Sequence, residues 1–260
     1  AYCDDNSIIF YNVETHETIM SIDQENISDL LISESGRFII FYYSNREITI
    51  VDTFQNNKMI EKEKNIWPEN YLEDFLINEN YFIVKDGETL IVLNHNLEEI
   101  KEIEGLCNYS IASSRTEDMI AIGCKDGKFL LIDILSEKIL AEFSNGEGGK
   151  IENLFITPDN KSIIIISQLG NLVKFDINSG EIVWDYEIGK NQALMGKAAS
   201  LSRDGNYLIL PAILYQDEFT LVDISGETPT FINPTDFVDY VNEASGILHG
   251  SFSPNSKIAA

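Results

Sequence analysis

The sequence predicts an all-β β-propeller, a ring of four-stranded blades, and three observations carry that expectation. Polar turns and strand-closing residues recur in fixed phase: Ser33 to Asp52, Ser114 to Asp133 and Thr157 to Asp176 are each 19 residues apart. Aligned on the position that ends the third strand of each unit, Asn12, Asp52, Asn94, Asp133, Asp176 and Asp223 follow at intervals of 40, 42, 39, 43 and 47 residues, close to the ~40–45 of a four-stranded propeller repeat. The C-terminal residues also run in phase into the first ones: counted from Ser253 to Ala260 and on from Ala1, Asn12 again lies 19 positions away. A four-stranded unit cannot bury both of its faces alone, so units stack until the circle closes. Six anchors predict six blades, with seven as the alternative.

The 260 residues read as one domain. The blades fall at approximately 22–62, 63–104, 105–144, 145–188 and 189–243, and the remaining blade is shared by 1–21 and 244–260, so that first and last strands complete each other. The join would lie inside one strand, Lys257 to Ala260 followed by Ala1 to Cys3, and this predicts an excerpt of a longer chain.

Each unit has the same grammar. From Ser33 the chain runs polar turn, apolar run, second polar turn and another apolar run closing on Asp52 (SESGRFIIFYYSNREITIVD). The unit from Thr157 repeats it, with Pro158-Asp159-Asn160 suited to a tight turn and Gln168-Leu169-Gly170 to the next reversal. Uninterrupted β-branched runs such as Ile163 to Ile166 predict middle strands covered on both faces. The aligned aspartates predict structural caps, carboxylates that accept hydrogen bonds from the backbone N–H groups of the turn that follows. Helix is expected only near Asn233, where Asn233 can cap, Pro234 suits the first turn, and Phe237 and Val241 share a face. Long connectors are expected at Glu61 to Leu72, with Trp67-Pro68, and at Glu187 to Lys197.

Eighteen basic against 43 acidic side chains give a formal charge of −25. That field repels phosphate backbones and anionic lipid, and favours basic protein partners. Apolar residues make up 44%, with no run of the ~18 needed to span a bilayer. Cys3, Cys107 and Cys124 share no paired spacing, which predicts buried thiols in a reducing, cytoplasmic setting rather than a disulfide or zinc site, with a secreted or periplasmic setting as the alternative. Sequons begin at Asn26, Asn108 and Asn160.

No arrangement of residues predicts catalysis. His16, His95 and His249 fall in different repeats; His16 and His95 are expected as surface turn residues. Asp4-Asp5-Asn6 lacks the later Gly and bidentate Glu of a calcium loop. Asn145-Gly-Glu-Gly-Gly149 lacks the Lys-Ser/Thr of a phosphate loop and reads as a turn, and no Gly-x-Ser-x-Gly occurs. No cofactor and no metal site are predicted, and the chain is expected not to be an enzyme.

The turns Ser33-Glu-Ser-Gly36, Thr157-Pro-Asp-Asn160, Ser202-Arg-Asp-Gly205 and Ser253-Pro-Asn-Ser256, with the hairpin and closing dipeptide of Cys124 to Asp133, resemble the WD-repeat propellers over nearly the whole chain. The repeats are degenerate: Tyr11, Val51, Leu93, Ile132, Phe175 and Val222 stand where that family has Trp, and of the histidines only His249 occupies the family's position. Locally, Phe175 to Trp184 (FDINSGEIVW) resembles the repeat of quinone-cofactor dehydrogenase propellers and their non-catalytic relatives, in which the tryptophan docks one blade on the next. It occurs once, which speaks for packing by Trp184 and against a quinone.

The resemblance implies an interaction, scaffold or sensing propeller, part of a larger protein or complex, that binds a protein or peptide on its rim or central face. In that family this face is built from the loops between blades and from each blade's second turn. The residues at those positions here are Arg46, Trp67, Tyr71, Tyr109, Lys125, Lys190 and Tyr215, aromatic and basic types frequent as interface anchors. The competing class is a hydrolase- or lyase-type propeller with a central metal or carboxylates.

Overall fold

The computed structural model describes residues 2–4, 7–11, 17–23, 27–33, 36–43, 48–55, 58–62, 75–78, 80–106, 110–144, 149–188, 199–210, 220–232 and 252. They form antiparallel sheets in which strands consecutive in the sequence pair with one another. The first sheet has three strands: β1 (Tyr2–Asp4), β2 (Ser7–Tyr11) and β3 (Thr18–Asp23). The second holds β4 (Ile27–Ile32), β5 (Phe38–Tyr43), β6 (Ile48–Asp52) and β7 (Lys58–Lys62). The third holds β8 (Phe75–Ile77), β9 (Phe82–Asp86), β10 (Thr89–Leu93) and β11 (Glu99–Ile103). The fourth holds β12 (Ser110–Ser113), β13 (Met119–Gly123), β14 (Lys128–Asp133) and β15 (Ile139–Ser144). The fifth holds β16 (Ile151–Ile156), β17 (Ser162–Ser167), β18 (Asn171–Asp176) and β19 (Glu181–Glu187). The sixth holds β20 (Ser200–Leu201), β21 (Tyr207–Leu210), β22 (Thr220–Asp223) and β23 (Thr230–Ile232).

The chain is thus an all-β propeller of four-stranded antiparallel sheets. The described residues hold five complete blades, not the six or seven that the repeat count predicts. The first sheet lacks a fourth strand because the residues that the repeat assigns to it, 244–260, lie outside the described residues except for Phe252. The helix expected near Asn233 also lies outside them, and the described residues carry one short 3-10 turn, Thr53–Gln55.

The core sits between blades. In β13 every residue is buried, yet its side chains serve two different interfaces. Ile120 and Ile122 pack with Ile83, Leu90 and Val92 of the third sheet, while Met119 and Ala121 pack with Ile163, Ile165 and Phe175 of the fifth. The isoleucine run of β17 divides in the same way: Ile163 and Ile165 face the fourth sheet, and Ile164 and Ile166 face Leu208, Leu210 and Val222 of the sixth. Alternation of side chains across a pleated strand explains why a strand sandwiched between two blades shows no polar face. Aromatic rings close two of the junctions: Phe38 lies edge-on to Phe82 with centroids 5.4 Å apart, and Phe129 meets Phe175 at 5.1 Å. Each buried side chain of this size contributes about 1.5–3 kcal/mol by leaving water.

Candidate interaction surface

Five equivalent turns, one between the first two strands of each complete blade, gather at one end of the blade stack. Each begins with a buried polar side chain: Ser33, Asn78, Ser114, Thr157 or Ser202. The hydroxyl closes the turn on itself. Ser33 Oγ accepts the Phe38 N–H at 2.9 Å, Thr157 Oγ1 accepts that of Ser162 at 2.9 Å, and Ser202 Oγ accepts that of Tyr207 at 2.8 Å.

The same turns reach from blade to blade. Asn78 Nδ2 donates to the carbonyls of Ser114 and Glu117, and the Tyr81 hydroxyl donates to Asp118. Ser114 Oγ donates to Asn160 Oδ1 at 2.8 Å, and Asn160 Nδ2 donates to Thr116 Oγ1 at 2.9 Å. Arg115 reaches past the fifth blade to the Arg203 carbonyl of the sixth, at 2.7 Å. A continuous set of hydrogen bonds therefore links the third to the sixth blade. Asn160, at φ 56°, holds the left-handed turn position that Asn tolerates, so this sequon asparagine has its amide engaged in holding blades together.

The aligned residues that end each third strand do what their position requires. Asn94 Oδ1 accepts the N–H groups of Asn96 and Glu98, Asp176 Oδ1 those of Asn178 and Ser179, and Asp223 Oδ1 that of Ser225. Asp133 accepts both the N–H and the hydroxyl of Ser136, at 2.8 and 2.7 Å. The Ser136 hydroxyl, then its N–H, hold the Asp133 carboxyl below the ordinary value of 3.8. The Ser179 N–H does the same for Asp176. For Asp159 burial pushes upward, and the Thr157 hydroxyl with the Lys161 N–H outweighs it, so the net direction is again downward. Asp52 is more deeply buried and takes a forked Arg37 guanidinium at 2.9–3.2 Å, while Arg37 also lies 4.6 Å over the Phe38 ring.

The opposite end carries the second turn of each blade and the connectors between blades, the face on which the sequence places the binding residues. Lys125 is exposed there, beside exposed Asp126 in the turn between β13 and β14. Arg46, Trp67, Tyr71, Tyr109, Lys190 and Tyr215 lie outside the described residues. The described part of this end is tied by backbone bonds between second turns and the connectors on either side: Ile151 N–H to the Cys124 carbonyl and Ile188 N–H to that of Gly170 join a second turn to the connector that follows its blade, and Gln168 N–H to that of Lys150 joins one to the connector that precedes it. Gly149 permits this closeness, because a Cβ there would stand 2.6 Å from Leu169 Cγ.

Two readings of single residues change. Cys124 is not a thiol: it is buried at the start of this turn and disulfide-bonded, a pairing that spacing in sequence cannot show because it depends on which strands adjoin. His95 keeps its turn position and is half-buried there. Its ring lies 4.4 Å from Phe38 and 5.5 Å from Phe82, in the junction of the second and third blades. His16 and His249 are outside the described residues. Trp184 packs among Ile164, Ile166, Leu208, Leu210 and Val222, between the fifth and sixth blades, the docking role its sequence context implies. Among the described residues no three His, Cys, Asp or Glu side chains converge as a metal site requires.

A comparison with curated proteins finds no match. The family model of the anaphase-promoting complex subunit 4 WD40 domain matches residues 111–202, a stretch that covers the fourth and fifth blades and enters the sixth. The match and the stacked four-stranded blades together show a β-propeller similar to the WD40 type.

Proposed function

We propose that this chain is an interaction and scaffold propeller that binds a protein or peptide through its rim or central face, as a module of a larger protein or complex. WD40 propellers generally mediate protein–protein interaction, and the matched family is named for a subunit of a multiprotein complex. The observation that carries the reading is where the recurring polar side chains are spent. The buried turn residues Ser33, Asn78, Ser114, Thr157 and Ser202 and the strand-closing residues Asp52, Asn94, Asp133, Asp176 and Asp223 all hold turns or neighbouring blades. What recurs is a frame, and what varies is the surface set on it.

The charge of −25 supports a basic partner. Lys125 with Arg46, Trp67, Tyr71, Tyr109, Lys190 and Tyr215 are the residues we assign to the connector face. We take 1–21 and 244–260 as the blade that completes a six-bladed ring. The test is affinity capture from the native source on the immobilised chain across a salt series, followed by cross-linking. Recovery of partners that are basic and are released by salt is the expected result. Recovery of none, or only of partners indifferent to salt, overturns the reading.

A further inference from the structure

We infer that the outer edge of the fifth blade, β19 together with Phe231 on β23, docks a partner segment that carries Lys or Arg beside branched aliphatic residues. This rests on the interaction reading above and adds to it a location and an occupant. β19 ends the strand order of its sheet and, among the described strands, pairs with β18 alone. Of its seven side chains only Trp184 is buried. The exposed six are of two kinds: Ile182, Val183 and Tyr186, 43%, 45% and 43% exposed, and the acids Glu181, Asp185 and Glu187. The Tyr186 ring lies 4.7 Å from that of Phe231, which carries the apolar surface across the junction to the sixth blade.

Edge strands are commonly blunted by lysine, and this one carries none. Lys174, on the adjoining strand β18, has its ammonium on the Ile224 carbonyl at 2.9 Å. Among the described residues Glu181 and Asp185 therefore make this edge negative beside its apolar side chains. The register slips between Lys174 and Phe175, so Val183 is an extra, bulged residue. A bulge interrupts the row of backbone donors and acceptors that an added strand would need, which favours recognition through side chains. A second copy of a chain with charge −25 would bring like charge to the patch, so the complementary occupant is a basic partner.

The experiment uses the full chain and fluorescein-labelled twelve-residue peptides in which Lys alternates with Leu or Val, read by anisotropy. Binding is expected, with affinity falling by about tenfold or more between 50 and 300 mM NaCl. It should fall by a similar factor in Val183→Ser/Tyr186→Ser and in Glu181→Gln/Asp185→Asn, with unchanged far-UV circular dichroism and urea midpoints of both variants reporting an intact fold. Ile139→Ser/Leu140→Ser, on the outer strand of the fourth blade, should bind as the parent does. Three results overturn the proposal: equal affinity in the β19 variants, equal affinity for a peptide with Ser in place of every Leu and Val, or self-association that Val183→Ser/Tyr186→Ser abolishes. If captured partners still bind the β19 variants, the location is wrong and the interaction reading stands; if neither partners nor peptide bind, both fall.

Discussion

Replacing Ser114 by alanine tests whether the buried turn hydroxyls hold this propeller together. Ser114 is fully buried. Its Oγ accepts the Glu117 N–H at 2.9 Å and the Thr116 N–H at 3.2 Å, and donates to Asn160 Oδ1 of the next blade at 2.8 Å. Alanine removes three bonds and leaves their partners without replacement, at roughly 1 kcal/mol for each good bond and less for the long one, or ~2–3 kcal/mol in all. For a domain of this size that corresponds to a fall in Tm of roughly 4–12 °C. Urea unfolding followed by far-UV circular dichroism gives the free energy. Asn160→Gly provides the second side of a cycle, since glycine keeps the positive φ without strain. The inter-blade bond should then appear as a coupling of about 1 kcal/mol between the two substitutions. A loss below about 0.5 kcal/mol for Ser114→Ala, the range of an ordinary surface change, would refute the reasoning. A normal loss with no coupling would confine the hydroxyl's role to its own turn.

Gly123→Ala should destabilise by about 1–3 kcal/mol through overpacking, because its Cβ would stand 2.6–2.7 Å from the buried Ile151 side chain of the next blade. Gly226→Ala, whose nearest neighbour would be 3.4 Å away, should cost less, and equal urea midpoints for the two would sink this reading. Asp133 and Asp176 have folded-state values lowered from 3.8, against about 3.9 in an unfolded chain. Their contribution is therefore complete above the unfolded value and is lost as pH falls through the lower folded ones. Carboxyl carbon NMR should show both titrating below 3.8; midpoints at or above it would contradict the hydrogen-bond assignment. Without reductant, the unfolded chain should show one reactive thiol, since Cys124 and its partner account for two of the three cysteines, and three thiols would exclude the disulfide.

Much of the fold is legible in sequence because its signals are local. The Asp133 cap is made with Ser136, three residues on, and the Ser202 turn with Tyr207, five residues on. Such bonds depend on backbone geometry that a short stretch of chain sets for itself, so residue type and spacing suffice to predict them. The double burial of β17 is legible for a similar reason: four successive isoleucines leave a strand no polar face to show to water. The surface we propose for binding is harder to read, since it has no repeating chemistry. Turn chemistry suffices to put Lys125 between β13 and β14, but the exposed row on β19 follows from a bulge and from the sheet edge, and neither has a sequence signature of its own.

The sequence by itself determined the propeller architecture, the phase of its turns and the structural role of its aspartates, through interactions that close within a few residues. Tertiary structure decided what depends on residues far apart along the chain. It set Asn160 against Ser114, 46 positions away, and Arg115 against Arg203, 88 positions away. It also wedged His95 between two blades and put Cys124 in a disulfide. In a propeller the strand pattern is written inside each blade, while the contacts between blades depend on side-chain shape at junctions that a single repeat does not encode.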